Sequence, residues 1–150
     1  MKSILIAADH AGFALKEYLK NHSESLGVHF IDLGTHSEAS VDYPDIAQAL
    51  SKRLIEIGAD KNLGVLLCGS GIGVSIAANR FSEIRAFVAE SEDMAKRGRE
   101  HNHANVLCMG SRLTGPEKAL SILKVFLNTI EDQDSRHLRR IQKLSNEKFQ

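Results

Sequence analysis

Hydrophobic and polar positions in this chain switch between two periods. Runs with almost no polar residue fall at residues 4–8, 63–67 and 105–109, each short enough for a strand buried on both faces. Residues 28–33 alternate, and residues 84–89 make a further strand. Between them the spacing turns helical. Leu15, Tyr18, Leu19, His22 and Leu26 share one face of a helix that Gly27 ends. His22 fits there as a packed or rim histidine. Tyr43-Pro44-Asp45 opens a second helix, with Ile46, Leu50, Leu54 and Ile57 as its stripe and Gly58 as its stop. A polar helix spans residues 91–99. Thr114 and Glu117 fit a capping box, opening a helix that packs Ala119, Leu120, Leu123, Phe126, Leu127 and Ile130. Asp134 or Ser135 caps a last, charged helix whose only apolar residues are Leu138, Ile141 and Leu144. So thin a stripe buries little against its own domain and is free to reach a second subunit.

Strands alternating with helices predict an α/β chain with one doubly wound, Rossmann-like domain over residues 1–150. The expected five-stranded parallel sheet has order 2-1-3-4-5, with the C-terminal helix at a subunit interface. The switch point then lies between strands one and three, at the carboxyl ends where such folds bind ligands. Asp9-His10 and the segment from Cys68 to Gly73 converge there.

Composition narrows the partners. The chain has 150 residues with 19 basic and 19 acidic side chains, so no net field favours nucleic acid or an anionic membrane. No apolar run approaches the roughly 20 residues of a membrane span. No cleavable signal pattern precedes the first strand, and the two cysteines lack metal spacing, which together suggest a reducing cytoplasm. His101-Asn102-His103 also lacks the i, i+4 spacing of paired zinc ligands, so no metal is expected.

The chemically loaded stretch is Cys68-Gly69-Ser70-Gly71-Ile72-Gly73, between the third strand and a small-residue helix. Glycines at every second position allow a tight turn whose amides approach a ligand, and a helix start adds its dipole, so an anion cradle is expected. Cys68 is either a small buried hydrophobe or a thiol activated by that helix start; Cys108 reads as core. Gly69-x-Gly71-x-x-Val74, with Glu90 after the next strand, nearly spells a dinucleotide fingerprint, but Val74 fills the third glycine position. Asp9 serves chemistry or caps the first helix. His101-Asn102 ends a polar helix, where histidine also answers the dipole. Arg136 and Arg140 share a helix face, and their repulsion suits either an anion between them or a solvated basic surface.

The chain resembles the type B ribose-5-phosphate isomerase family, which also holds the galactose-6-phosphate isomerase subunits. The matching pieces are Asp9-His10-Ala11-Gly12-Phe13 with Leu15-Lys16, Asp32-x-Gly34-Thr35, Asp42-Tyr43-Pro44 and Cys68 to Gly73 through Ala77-Ala78-Asn79. They continue through His101-Asn102, Asn105-Val106, Gly110-Ser111-Arg112 and Arg136-His137 with Arg140, in family order over residues 4 to about 142. The resemblance implies a cofactor-free aldose–ketose isomerase that interconverts ribose 5-phosphate and ribulose 5-phosphate through an enediolate. Cys68 would be the base, and the loop amides at Gly69, Gly71, Ile72 and Gly73 would stabilise the oxyanion, with the Ser70 hydroxyl beside them. His101, assisted by Asp9, would open the furanose ring, and Asn102 would hold substrate oxygens. Tyr43 would line the pocket; His10, Arg112, Arg136 and Arg140 would bind phosphate. The resemblance also implies a homodimer or dimer of dimers, with the His101 region supplied by the neighbour. Two residues depart from the family pattern: Ala8 replaces a frequent cysteine, and His103-Ala104 stands where an acidic residue commonly follows His-Asn. Alternatives are a six-carbon aldose 6-phosphate such as allose or galactose 6-phosphate, and a nucleotide-binding regulatory module. In the resemblance His101 counts against the galactose branch, whose subunits lack a ring-opening histidine.

Overall fold

The computed structural model describes residues 1–145. Five strands, β1 (Lys2–Ala8), β2 (Val28–Asp32), β3 (Leu63–Cys68), β4 (Ala86–Val88) and β5 (Val106–Gly110), form one parallel sheet. The helices are α1 (Phe13–Lys20), α2 (Ser23–Leu26), α3 (Tyr43–Ile57), α4 (Ile72–Ala78), α5 (Glu92–Asn102), α6 (Pro116–Asn128) and α7 (Ser135–Leu144). None of them is long and apolar enough to cross a membrane.

The sheet order is β2-β1-β3-β5-β4, so the fourth and fifth strands exchange the places expected from sequence. Burial explains the exchange. Every residue of β5 is buried, as a central strand requires, whereas β4 is three half-buried residues suited to an edge. With β5 inside, the step from β4 to β5 runs back across the sheet, and a right-handed crossover puts α5 on the face of α1 and α6. Two cores result. One gathers Leu15 and Leu19 of α1, Ala95 of α5 and Phe126 of α6 over Ile6, Val65 and Leu107. The other gathers Leu50 and Leu54 of α3 and Val74 of α4 over Leu5, Leu66 and Cys108. Chain direction therefore reverses on both sides of β3, and crevices open at its carboxyl end toward β1 and toward β5.

Several helix boundaries differ from expectation: α5 runs on to Asn102, and α6 ends at Asn128, which leaves Ile130 outside it and 86% exposed. The first helical stripe is broken into α1 and α2, because the His22 ring bonds the Tyr18 carbonyl at 2.8 Å while the His22 amide turns to Leu19. As expected of a packed histidine, His22 lies 4.5 Å from the Tyr18 ring. Thr114 is not the N-cap of α6. It is buried, its amide bonds the Gly110 carbonyl at 2.9 Å, and Gly115 takes the cap position. Asp134 does cap α7, accepting the Arg136 amide at 2.8 Å. As its thin stripe implied, α7 buries no residue fully; among the described residues it rests on α5.

Candidate active site

Cys68 ends β3 and is almost fully buried. The chain then turns through Gly71, whose left-handed backbone (φ 78°) brings its amide to 3.1 Å from Cys68 Sγ. A side chain could not follow that path: a Cβ at Gly71 would lie 2.9 Å from the Met109 carbonyl carbon. On the other side, a Cβ at Gly110 would lie 2.4 Å from the backbone of Ser70, so β5 presses directly against the loop. Residues 68–71 are thus wedged between α4 and the end of β5. The Ile72 amide donates to Ser70 Oγ at 3.2 Å, leaving the hydroxyl proton free to be donated onward. Of the expected loop donors, Gly71 and Ile72 are therefore already engaged; among the described residues the amides of Gly69 and Gly73, and that of Ser70 between them, have no acceptor.

Cys68 opens into a cavity of about 370 Å³ shared with Asp9, His10, Tyr43, Ser70 and Arg112. Asp9 is buried there and accepts the Gly12 amide at 3.1 Å, so it caps the turn while lining the cavity. His10 Nδ1 accepts the Val41 amide at 3.2 Å, which leaves Nε2–H as its remaining donor. The Tyr43 ring lies over Gly73; a Cβ there would be 2.6 Å from Cε1. The Arg112 guanidinium covers Gly69 in the same way, with Nη1 2.9 Å from a Cβ built there. The Arg112 amide bonds the Gly69 carbonyl at 3.0 Å, and Ser111 bridges to the Cys68 and Ala11 carbonyls. The larger cavity of about 650 Å³ runs along β4 and includes Asn102 but not Cys68. Chemistry favours the smaller one, where a thiol, a carboxylate, an imidazole and a guanidinium meet. Cys108, one strand away, is fully enclosed, and burial together with the neighbouring Cys68 pushes its thiol far up, so it stays neutral core.

Beneath this wall lies an ion cluster for which sequence spacing gave no role. Lys16 is fully buried and places Nζ 2.7 Å from both Asp32 carboxylate oxygens and from the Thr35 carbonyl. Lys20 Nζ also donates to Asp32 at 2.7 Å, and the Gly34 amide donates to Asp32 Oδ1 at 2.9 Å. Burial alone would raise the Asp32 carboxyl, but bonds from Lys16, Lys20 and Gly34 outweigh it and hold it at about 2. In the sequence Lys16 and Asp32 stand only as separate pieces of the family resemblance, 16 residues apart and with nothing to pair them.

The remaining expected residues form a separate group. His101 and Asn102 occupy the last turn of α5, and the His101 ring stacks on His137 of α7 at 4.5 Å. Arg136 and Arg140 are exposed on α7. Arg136 forks onto Asp134 at 3.1 Å from both Nε and Nη2, and this holds the Asp134 carboxyl down at about 2. None of these four residues lines the Cys68 cavity. Among the described residues, no three His, Cys, Asp or Glu side chains converge as a metal site would require.

The model of the family described as Ribose/Galactose Isomerase matches residues 4–144. The chain is 39% identical to ribose-5-phosphate isomerase B of Escherichia coli over 145 residues, covering 97% of this chain and 95% of that one. The solved ribose 5-phosphate isomerase of Thermotoga maritima superposes with a TM-score of 0.90 at 47% identity, covering 96% of this chain and 97% of the other. The Mycoplasma genitalium ribose-5-phosphate isomerase B, solved with bound ribulose-5-phosphate, gives a TM-score of 0.89 at 37% identity, covering 95% and 93%.

Proposed function

The chain belongs to the ribose/galactose isomerase family, and from that premise we propose that it interconverts ribose 5-phosphate and ribulose 5-phosphate. The observation that carries the reading is the Gly71 amide on Cys68 Sγ inside a cavity lined by Asp9, His10 and Arg112. A cysteine sulfur at a cavity wall can, as its thiolate, take a proton from carbon. Cys68 removes the C2 proton of the open-chain aldose, and the C2–H electron pair forms the C1–C2 double bond. The carbonyl π pair moves onto O1, where the free amides of Ser70 and Gly73 receive the charge. Ser70 passes the hydroxyl proton between O2 and O1. The proton held by Cys68 returns to C1, giving the ketose, so no atom is gained or lost.

Ring opening and phosphate binding need the second group of residues. His101 protonates the ring oxygen and Asn102 holds sugar hydroxyls, with Asp9 assisting. His10 through Nε2–H, Arg112, Arg136 and Arg140 hold the phosphate. The second group does not line the Cys68 cavity of its own chain, so a neighbouring protomer supplies it in a homodimer or dimer of dimers. Exposed apolar residues support a covered face: Ile72 and Ile76 of α4 are 53% and 62% exposed, beside the half-exposed Tyr43.

Initial rates on ribose 5-phosphate, allose 6-phosphate and galactose 6-phosphate test the substrate. Preference for ribose 5-phosphate is expected. Preference for a six-carbon aldose would move the substrate up one carbon, and no turnover on any of the three would reject the isomerase reading.

A further inference from the structure

His103 takes no part in the chemistry assigned above. Yet among the described residues it is the one non-glycine with a left-handed backbone (φ 44°). It ends α5 directly after His101 and Asn102, a position that glycine or asparagine usually fills. Its imidazole supplies the reason for a histidine there. The residue is only 8% exposed, and Nε2 lies 2.7 Å from the Asp132 carbonyl oxygen. A carbonyl can only accept, so Nε2 carries a proton and donates. Nδ1 faces the Glu131 carboxylate at 3.5 Å, and Arg99 closes the other side of Glu131 at 3.0 Å. In return the Asp132 amide donates to the Glu100 carbonyl at 3.2 Å. Two bonds of opposite direction thus fasten the Glu131–Asp132 turn to the last turn of α5.

Directly beyond that turn begins α7, which carries Arg136 and Arg140 and has no fully buried side chain. Apart from the tether, its described support on α5 is the stack of His137 on His101. With so little apolar anchoring, the tether at its N-terminal side decides where α7 sits.

We propose that His103 is a positioning residue, whose Nε2–H bond to the Asp132 carbonyl fixes α7, and with it Arg136 and Arg140, relative to His101. The kinetic part of this rests on the reading that those arginines hold substrate phosphate.

Three substitutions separate this role from that of a backbone cap. Glutamine can place its amide N–H near the position of Nε2, but fits a left-handed backbone poorly. Asparagine and glycine fit that backbone well and cannot reach Asp132. In His103→Gly and His103→Asn, KM for ribose 5-phosphate is expected to rise about 5- to 10-fold, the loss of one buried hydrogen bond, with little change in kcat. His103→Gln should restore KM close to wild type. Amide hydrogen exchange over residues 130–137 reads the tether without any turnover; it should quicken in the Gly and Asn variants and not in Gln. Wild-type exchange in His103→Gly would overturn the proposal, as would the reverse order with only Gln impaired. Faster exchange with unchanged KM would uphold the tether and reject instead the phosphate role of Arg136 and Arg140.

Discussion

The amide of Gly71 stands 3.1 Å from the sulfur of Cys68, and only a left-handed residue without a side chain can put it there. Gly71→Ala therefore strains the backbone and pushes a methyl into Met109. Stability should fall by about 1–3 kcal/mol. If that amide supports the thiolate, kcat should fall about 100-fold, the usual scale for losing one fixed donor at an active site. Thermal unfolding and steady-state rates on ribose 5-phosphate check both; a wild-type kcat would remove the amide from the chemistry.

The two cysteines should behave oppositely. Cys68 meets the cavity and accepts a hydrogen bond, while Cys108 is enclosed and neutral. Iodoacetamide on the folded protein should label Cys68 alone and abolish turnover, and substrate should slow the labelling. Cys108→Ala should keep wild-type turnover. Peptide mapping that found Cys108 labelled first would reverse the assignment.

Asp32 makes stability depend on acid pH. Its carboxyl lies at about 2 in the fold, against an ordinary value of 3.8. A depressed pKa stabilises the fold above the ordinary value and loses that contribution as pH falls. Melting temperature should therefore drop between about pH 4 and pH 2 in wild type, and this part of the drop should vanish in Asp32→Asn. That variant also strands the buried Lys16 charge, so at neutral pH it should lose about 3–5 kcal/mol. Parallel pH profiles for the two proteins would contradict the assignment.

Asp134 holds Arg136 by two bonds, and a substrate phosphate on Arg136 would compete with them. Arg136→Ala and Arg140→Ala should each raise KM about tenfold or more with little change in kcat. Asp134→Asn keeps an acceptable N-cap for α7 while removing the competing charge, and its KM should fall below wild type. A KM raised by Asp134→Asn would mean that the Asp134–Arg136 pair helps hold the arginine for substrate.

Much of this architecture was legible in the chain because burial writes itself into periodicity. Runs with almost no polar residue marked β1, β3 and β5, and the glycines after Cys68 marked the turn. The order of β4 and β5 depends on which strand is covered on both faces, and both segments read as short and apolar. The capping box at Thr114 slipped by one residue because the Thr114 amide is used by Gly110 in a turn that spacing does not reveal. The Lys16–Asp32 pair joins a helix to a strand end and leaves no local pattern. Within the site, the residues at the ends of β1, β3 and β5 converge as the topology requires. His101, Asn102, Arg136 and Arg140 gather elsewhere on the same chain, an arrangement that no single-chain pattern encodes.

The most direct test is the conversion of ribose 5-phosphate in heavy water by wild type and Cys68→Ser, followed by proton NMR. Wild type should form ribulose 5-phosphate carrying solvent deuterium at C1, because the proton passes through an exchangeable thiol. Cys68→Ser should be folded and should convert at least about a thousandfold more slowly, since a serine hydroxyl is a far weaker base near neutral pH. Turnover by the serine variant at the wild-type rate would contradict the central claim that Cys68 moves the proton.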